Sequence, residues 1–243
     1  MESVIRKPKG KEYYLSKKVG KAIMDYQMLS EGDRILVAVS GGKDSLTLLK
    51  LLRDRLSFSP VKYELISAHI DTGKDPVFLH SLKDYFERNN YPYVIEKIDI
   101  FENSAESNID CFWCSWNRRK TLFQLADKLN CNKIALGHHL DDIVETILLN
   151  FFFNAEISSM SPKQTLFEGK ITIIRPLAYV EEKEIISFAK EQNFPLPGGC
   201  CSVFFSSKRS YIKGFLKELE KEIPDIKKNI FRALKRIKKE YLP

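Results

Sequence analysis

A chain of 243 residues and 28.2 kDa, 44% hydrophobic and 12% aromatic, can bury one sizeable core with a small appended element, which excludes both a structureless chain and two full domains. No run approaches the roughly 18 uncharged apolar residues of a membrane helix, and MESVIRKPKGKEYY has no apolar core of the kind a secretory signal needs, so the expectation is a cytoplasmic protein with no membrane partner. The formal charge of +7 sits at the ends: residues 208–243 hold twelve Lys or Arg against five Asp or Glu, and residues 1–21 seven against two, which leaves the middle at −5. Such ends are either solvated helix faces or a surface for a polyanion such as RNA.

From Tyr14, the apolar positions Leu15, Val19, Ala22, Ile23 and Tyr26 share one helical face and predict an amphipathic helix of about four turns. A turn at Glu31-Gly32-Asp33 leads into residues 35–39, a branched apolar run of the kind buried on both faces of a parallel sheet. SGGKDS follows, then residues 44–55 with helix formers throughout. Strands are expected at 63–70, 93–98, 132–136 and 171–174, with helices at 77–88, from CFWC through 129, at 140–152 and at 181–192. Residues 99–110, 154–170 and 195–206 read as loops, the middle one a loop or lid, and two basic helices separated near Pro224 finish the chain. Strands alternating with helices imply an α/β fold, a parallel sheet with helices on both faces.

SGGKDS lies between a buried strand and a helix start, where backbone N–H groups and the positive end of the helix dipole can hold phosphate. It is too short for the ordinary P-loop and does not match G-x-G-x-x-G, so a different phosphate loop is implied. AVSGGKDS resembles the PP-loop of the N-type ATP pyrophosphatases, which cleave ATP between the α and β phosphates and adenylate a carbonyl-like oxygen. That resemblance implies ATP binding by Ala38, Val39, Ser40, Gly41, Gly42, Lys43, Asp44 and Ser45. At the end of the second strand, SAHID makes His69 and Ile70 candidates for the adenine side, although His69 reads equally well as a surface histidine.

Five cysteines in a chain expected in the cytoplasm argue for metal or catalysis over disulfides. Cys111 and Cys114 in CFWCSWNRR have ligand spacing at a helix start, where thiolates are favoured. A zinc site would need two more ligands, and the usual second C-x-x-C is absent; the remaining candidates are Cys200 and Cys201 in GGCCS. Three thiolates can hold a four-iron cluster with one iron open. A thioredoxin-like redox pair is the local alternative, while Cys131 reads as core.

VGKAIMDYQMLSEGDRILVAVSGGKDS, C-x-x-C followed by Arg118-Arg119, KIALGHHLDDIVETILLN and IRPLAYVEEKEI together are similar to the tRNA 2-thiocytidine synthetase family over most of the chain. The resemblance implies a four-iron four-sulfur cluster on Cys111, Cys114 and a third cysteine. Here the sequence departs from the family's C-x-x-C, and alignment from Lys208-Arg209 favours Cys201, with Cys200 as a neighbour able to substitute. It also implies that Gly137 approaches the nucleotide and that Asp142 handles catalysis or magnesium, while the adjacent Asp141 could simply cap its helix. Arg118, one turn after Cys114, would face the same cleft and stabilise phosphate charge, or belong with Arg119 to a solvated face. Trp113 and Trp116 would shield the cluster, stack a base or join the core.

The expected protein is an ATP- and magnesium-dependent tRNA sulfurtransferase that adenylates the anticodon-loop cytidine at position 32 and gives 2-thiocytidine. Its sulfur would come from a cysteine desulfurase or free sulfide, and a homodimer is compatible with the sequence. Expected divisions are an N-terminal helix (1–29), a PP-loop domain with the C-x-x-C (30–195), and a third-cysteine loop with a basic tRNA-binding tail (196–243). The alternatives are a tRNA uridine thiolase, a sulfur-inserting enzyme for a small molecule, and an iron-sulfur RNA-binding or redox-sensing protein without turnover.

Overall fold

A computed structural model describes residues 10–73, 75–98, 111–198 and 208–241. The expected loop at 99–110, the Cys111 side chain and the Cys200–Cys201 pair lie outside the described residues.

The sheet has six strands: β1 (Asp33–Ala38), β2 (Tyr63–Asp71), β3 (Tyr93–Lys97), β4 (Lys133–Ala135), β5 (Lys163–Leu166) and β6 (Ile171–Ile174). Their order is β3-β2-β1-β4-β6-β5. The first five positions are parallel, in registers such as Val37 opposite Ser67 and opposite Ala135. Strand alternation sends Ile35 and Val37 to one face and Leu36 to the other. On the first face they meet α1 (Gly10–Asp25), α2 (Lys43–Arg55), α3 (Pro76–Arg88) and α6 (Glu182–Ala189), through residues including Leu15, Leu48, Phe86 and Phe188. The second face packs Ala68, Ile70 and Ile134 against Leu125 and Ala126 of α4 (Cys111–Lys128), with Cys131 in the same cluster.

A third cluster joins α5 (Leu140–Asn154) to α7 (Lys208–Glu222) and α8 (Ile226–Ala233) through Val144, Ile147, Ile212, Leu216 and Phe231. Among the described residues no helix is long and apolar enough to cross a membrane.

Two expectations need correction. The segment expected as a loop or lid over 154–170 contains β5, and β5 makes the sheet mixed, because it pairs antiparallel with β6 from Lys163 opposite Ile174 to Leu166 opposite Ile171. An edge strand of four residues, KQTL, has one paired side and no apolar alternation to betray it. The return from β5 to β6 is made by Phe167, Glu168 and Gly169, all at positive φ.

At the other end of the sheet, the residue expected to close a turn is a buried hub. Asp33 accepts hydrogen bonds from Ser30 N (2.6 Å), Asn132 Nδ2 (2.8 Å) and the buried Lys133 ammonium, tying the start of β1 to that of β4. Removing one partner of such a pair leaves an uncompensated buried charge. Lys133→Met is therefore expected to cost about 3–5 kcal/mol in urea unfolding, and Asp33→Asn/Lys133→Met distinctly less; equal losses would contradict the pairing.

Candidate active site

The chain leaves β1 to one side, through α2 into β2, while β4 lies on β1's other side, so the crevice at their carboxyl ends is a topological switch point, where open α/β sheets bind ligands. Into it runs the glycine loop. Val39 N still bonds Ala68 O (2.8 Å), after which Gly41 adopts φ +91° and Gly42 caps α2 in an extended conformation. A Cβ on Gly41 would lie 2.2 Å from Phe78 Cζ, so both conformation and space demand glycine. Ser45 Oγ donates to Gly42 O (2.9 Å) and lies 3.2 Å from Ser40 Oγ, so the loop is tied to itself. The N–H groups of the first turn of α2 have no intrahelical acceptors and carry the positive end of its dipole.

Gly137, at the exit of β4, presses on this loop from the opposite strand. A Cβ there would stand 3.0 Å from Ser45 N and 3.1 Å from the Asp44 carbonyl carbon. These are backbone atoms, which cannot swing aside.

Around the contact lies a cavity of about 320 Å³. Its apolar wall is Ala68, Ile70, Leu122 and Leu136; its polar wall includes Ser40, Asp44, Ser45, His138, Asp142 and Arg118. Of the residues singled out from sequence, Ala38, Val39, Ser40, Asp44, Ser45, Ile70, Arg118, Gly137 and Asp142 thus border one space. Gly41 and Gly42 shape the loop without lining it. Lys43 turns outward, with its ammonium 3.2 Å from both Glu182 Oε1 and Asp44 Oδ1; burial pulls its pKa down, but the two carboxylates outweigh burial and hold it above the ordinary lysine value.

His69 is not a surface histidine. It is buried beneath the loop, its Nδ1 2.7 Å from Val39 O and its ring edge-on to Phe78, and burial lowers its pKa. Cys114, Arg118 and Leu122 recur every four residues on α4, so the half-buried free thiol of Cys114 stands one turn above the cavity wall on the same stripe. Trp113 and Trp116 stack on each other at 5.7 Å, and Trp116, still exposed, carries Lys120 over its ring.

Two atoms here are buried without hydrogen-bond partners among the described residues, Arg118 Nε and His139 Nδ1, while the buried Asp44 Oδ1 has the Lys43 ammonium at 3.2 Å. His139 Nε2 stands 3.4 Å from Asp142 Oδ2 and 3.9 Å from Asp44 Oδ1, between the two carboxylates. Asp142 also accepts the His139 N–H (3.0 Å) at the head of α5. Asp141, read as a cap for its own helix, caps another: its Oδ2 accepts Glu182 N of α6 (2.7 Å), and its Oδ1 holds Lys227 of α8 (2.9 Å). Among the described residues no three His, Cys, Asp or Glu side chains group as a metal site.

His138 carries no mark in the sequence that singles it out. Its Nδ1 accepts from Arg175 Nε (3.3 Å), which places the proton of the neutral ring on Nε2. Burial and the Arg175 charge push its pKa down to about 4, against the pull of Asp142. The only signal was the doublet His138-His139 between a strand and a helix, and nothing in a doublet says which imidazole faces the ligand.

The basic tail is clamped to this region. Lys213 of α7 bonds Glu182 (2.7 Å), the same carboxylate that holds Lys43, and Arg209 meets Glu145 (3.3 Å) and Thr146 (3.2 Å). Burial works against ionisation of Glu182, yet Lys213 and Lys43 outweigh it and bring its pKa to about 2.

The profile of the PP-loop domain matches residues 13–196. The tRNA-cytidine(32) 2-sulfurtransferase of Geobacter sulfurreducens is 43% identical over 230 residues, covering 92% of this chain and 90% of its own length. That of Vibrio campbellii is 38% identical over 228 residues, covering 92% of this chain and 77% of its own. Among solved structures, the U34-tRNA thiolase from Methanococcus maripaludis with its 4Fe-4S cluster superposes with a TM-score of 0.77 at 22% identity, covering 96% of this chain and 81% of that one. The NH3-dependent NAD synthetase from Campylobacter jejuni gives 0.52 at 15%, covering 96% and 95%. At such identities the two structures speak for a shared fold, whereas the sequence relatives match along nine-tenths of this chain. The chain belongs to the PP-loop family and, within it, to the tRNA-cytidine(32) 2-sulfurtransferases.

Proposed function

We propose that this chain is an ATP-dependent sulfurtransferase that converts the cytidine at position 32 of tRNA to 2-thiocytidine. The observation that carries the reading is one cavity bordered by the PP-loop, Asp142 and an Arg118 whose Nε has no partner among the described residues, a helical turn from the free Cys114.

ATP is held with its phosphates on the loop N–H groups and the start of α2, and its adenine against the wall formed by Ala68, Ile70 and Leu136. The O2 oxygen of the target cytidine attacks the α-phosphorus and pyrophosphate leaves. Sulfide then adds at C2, and the C2–O bond breaks to release AMP. Arg118, which borders the cavity, can meet the charge that develops on the α-phosphate, and its guanidinium stays charged throughout. Magnesium keeps several waters and takes one or two carboxylates, which suits Asp142 and Asp44, the latter shared with the Lys43 ammonium. The free, half-buried Cys114 fits a thiolate ligand, and with Cys111 and Cys201, or Cys200 in its place, it would hold a four-iron four-sulfur cluster. Such a cluster, when bound, supplies an open iron for the incoming sulfide, drawn from a cysteine desulfurase or from free sulfide. The neutral His138 cannot act as a base through Nδ1, which Arg175 occupies, but its Nε2–H can donate to the substrate or the phosphates. Exposed cations of α7, α8 and α1 meet tRNA phosphates, and the target base leaves its stack to reach the cavity.

Anaerobic incubation with ATP, sulfide and tRNA, followed by mass spectrometry of the nucleosides, is expected to show 2-thiocytidine. Cys114→Ala should abolish it, and Arg118→Ala should slow tRNA-dependent pyrophosphate release about 100-fold. Appearance of 2-thiouridine instead would reassign the base, and pyrophosphate-free incubations would overturn the enzyme reading.

Gly137→Ala is expected to raise the ATP dissociation constant about tenfold, because the added methyl forces the phosphate loop aside. Circular dichroism should be unchanged, and an unaltered ATP affinity would show that the loop yields elsewhere.

The cavity also sets an acid response. His138 stays neutral in the folded chain down to about pH 4, whereas the unfolded chain protonates it near 6.5. Between those values the unfolded state binds the extra proton, so stability falls as pH drops from 6.5 to 4 and is indifferent to this group above. Denaturant midpoints of His138→Gln against wild type should show a shallower decline across that window; parallel curves would refute the assignment.

A further inference from the structure

The first turn of α5 separates the nucleotide cavity from a second one. His138 and Asp142 face the former, and Leu140 between them faces a cavity of about 350 Å³. Its walls come from both ends of the chain: Lys18 and Lys21 of α1, Tyr179 after β6, and Phe231, Arg232 and Lys235 at the close of α8.

The charges here differ in how far they are already satisfied. Lys18 is bound by Glu184 (2.6 Å), Lys21 by Asp25 (3.0 Å), and Lys228, also on the rim, by Asp225 (2.8 Å). Arg232 and Lys235 make no ion pair within 4 Å among the described residues, although Lys235 still feels the Asp25 carboxylate on the cavity wall and Arg232 that of Asp225. The Lys235 ammonium lies over the Tyr26 ring, 4.2 Å from its centroid, which leaves it charged at the rim. Below them Tyr179 spends its hydroxyl on Asp25 (2.9 Å) and sets its ring edge-on to Phe231 at 5.7 Å. The result is an aromatic floor under two cations that no carboxylate claims at ion-pair distance, the pairing by which proteins hold unpaired nucleotides: a π face for the base and positive charge for the backbone. Two cations, each partly offset by a carboxylate beyond ion-pair distance, suit the single charge of a phosphodiester. A free triphosphate would call for more, and the PP-loop already serves one.

We propose that this second cavity is an RNA subsite in which Arg232 and Lys235 hold a backbone phosphate of an unpaired tRNA nucleotide whose base lies against Tyr179 and Phe231. The inference rests on tRNA being the substrate and adds where the RNA is gripped. The two cavities flank one helix, about 10 Å across with its side chains. An RNA strand seated in the second is thereby anchored a helix-width from the PP-loop.

The test is fluorescence anisotropy of full-length transcribed tRNA on the intact chain, from 50 to 200 mM salt, with wild type, Arg232→Ala/Lys235→Ala and the charge-keeping Arg232→Lys/Lys235→Arg. The alanine pair is expected to weaken binding about tenfold at 100 mM salt and to reduce the slope of log K against log salt by about 0.7, the value for one phosphate on a single strand, with the charge-keeping pair close to wild type. ATP affinity should not move, since neither residue touches the PP-loop cavity. A short unpaired RNA should compete for the wild type and a fully paired duplex of equal length should compete less. Unchanged affinity and slope in the alanine pair would overturn the subsite while leaving 2-thiocytidine formation intact. Equal competition by AMP or inorganic phosphate would overturn it in favour of a small-anion site. Loss of 2-thiocytidine formation by the wild type, with the RNA dependence on Arg232 and Lys235 preserved, would sink the proposed reaction and spare the subsite.

Discussion

The arrangement turns on a backbone pressed against a backbone. Gly137 at the end of β4 stands so near Ser45 N and the Asp44 carbonyl carbon that no side chain fits between them, and Gly41 turns the loop where only glycine clears Phe78. These two close approaches bring the loop N–H groups, the carboxylates of Asp44 and Asp142, and the Arg118 guanidinium around one space. Strand packing fixes them. The β1–β4 register, itself fastened by Asp33 and Lys133, decides how far the β4 exit reaches over the loop.

The carboxyl-end crevice is also where the terminal helices are fastened. Glu182 is shared between Lys43 of the PP-loop and Lys213 of α7, and Asp141 between the head of α6 and Lys227 of α8. Each carboxylate joins an element beside the PP-loop crevice to an element of the tail. Part of the basic surplus therefore holds the molecule together: Arg209, Lys213 and Lys227 neutralise internal carboxylates, and the cations left for an outside polyanion are fewer than composition suggests. Because these pairs are half-buried, salt screens them less than it screens the rim.

Most of the architecture was legible because the signals were local. Branched apolar runs named β1, β4 and β6, helical periodicity named α1, and the SGGKDS loop between a strand and a helix located the crevice. What escaped depended on partners distant in sequence. β5 escaped because an edge strand exposes one side and needs no apolar pattern, and Asp33 because a turn-forming aspartate and a buried hub are spelled alike. The roles of His138 and His139 escaped because neighbours on a strand exit diverge in space: Arg175, thirty-seven residues on, meets the first, and the carboxylates of Asp44 and Asp142 flank the second. The cap at Asp141 was foreseen in kind and mistaken in its helix, since spacing cannot say that the free N–H groups belong to α6.

Cys131 sits in the core between α4 and β4, and burial raises its pKa above the ordinary thiol range. A thiol so placed is starved of both solvent and negative charge, and an alkylating reagent applied to the native fold will pass it by. The electrophile-sensitive sulfur of this protein is thereby confined to the other four cysteines, and the mass added per native chain becomes a direct tally of how many of those are free of a ligand.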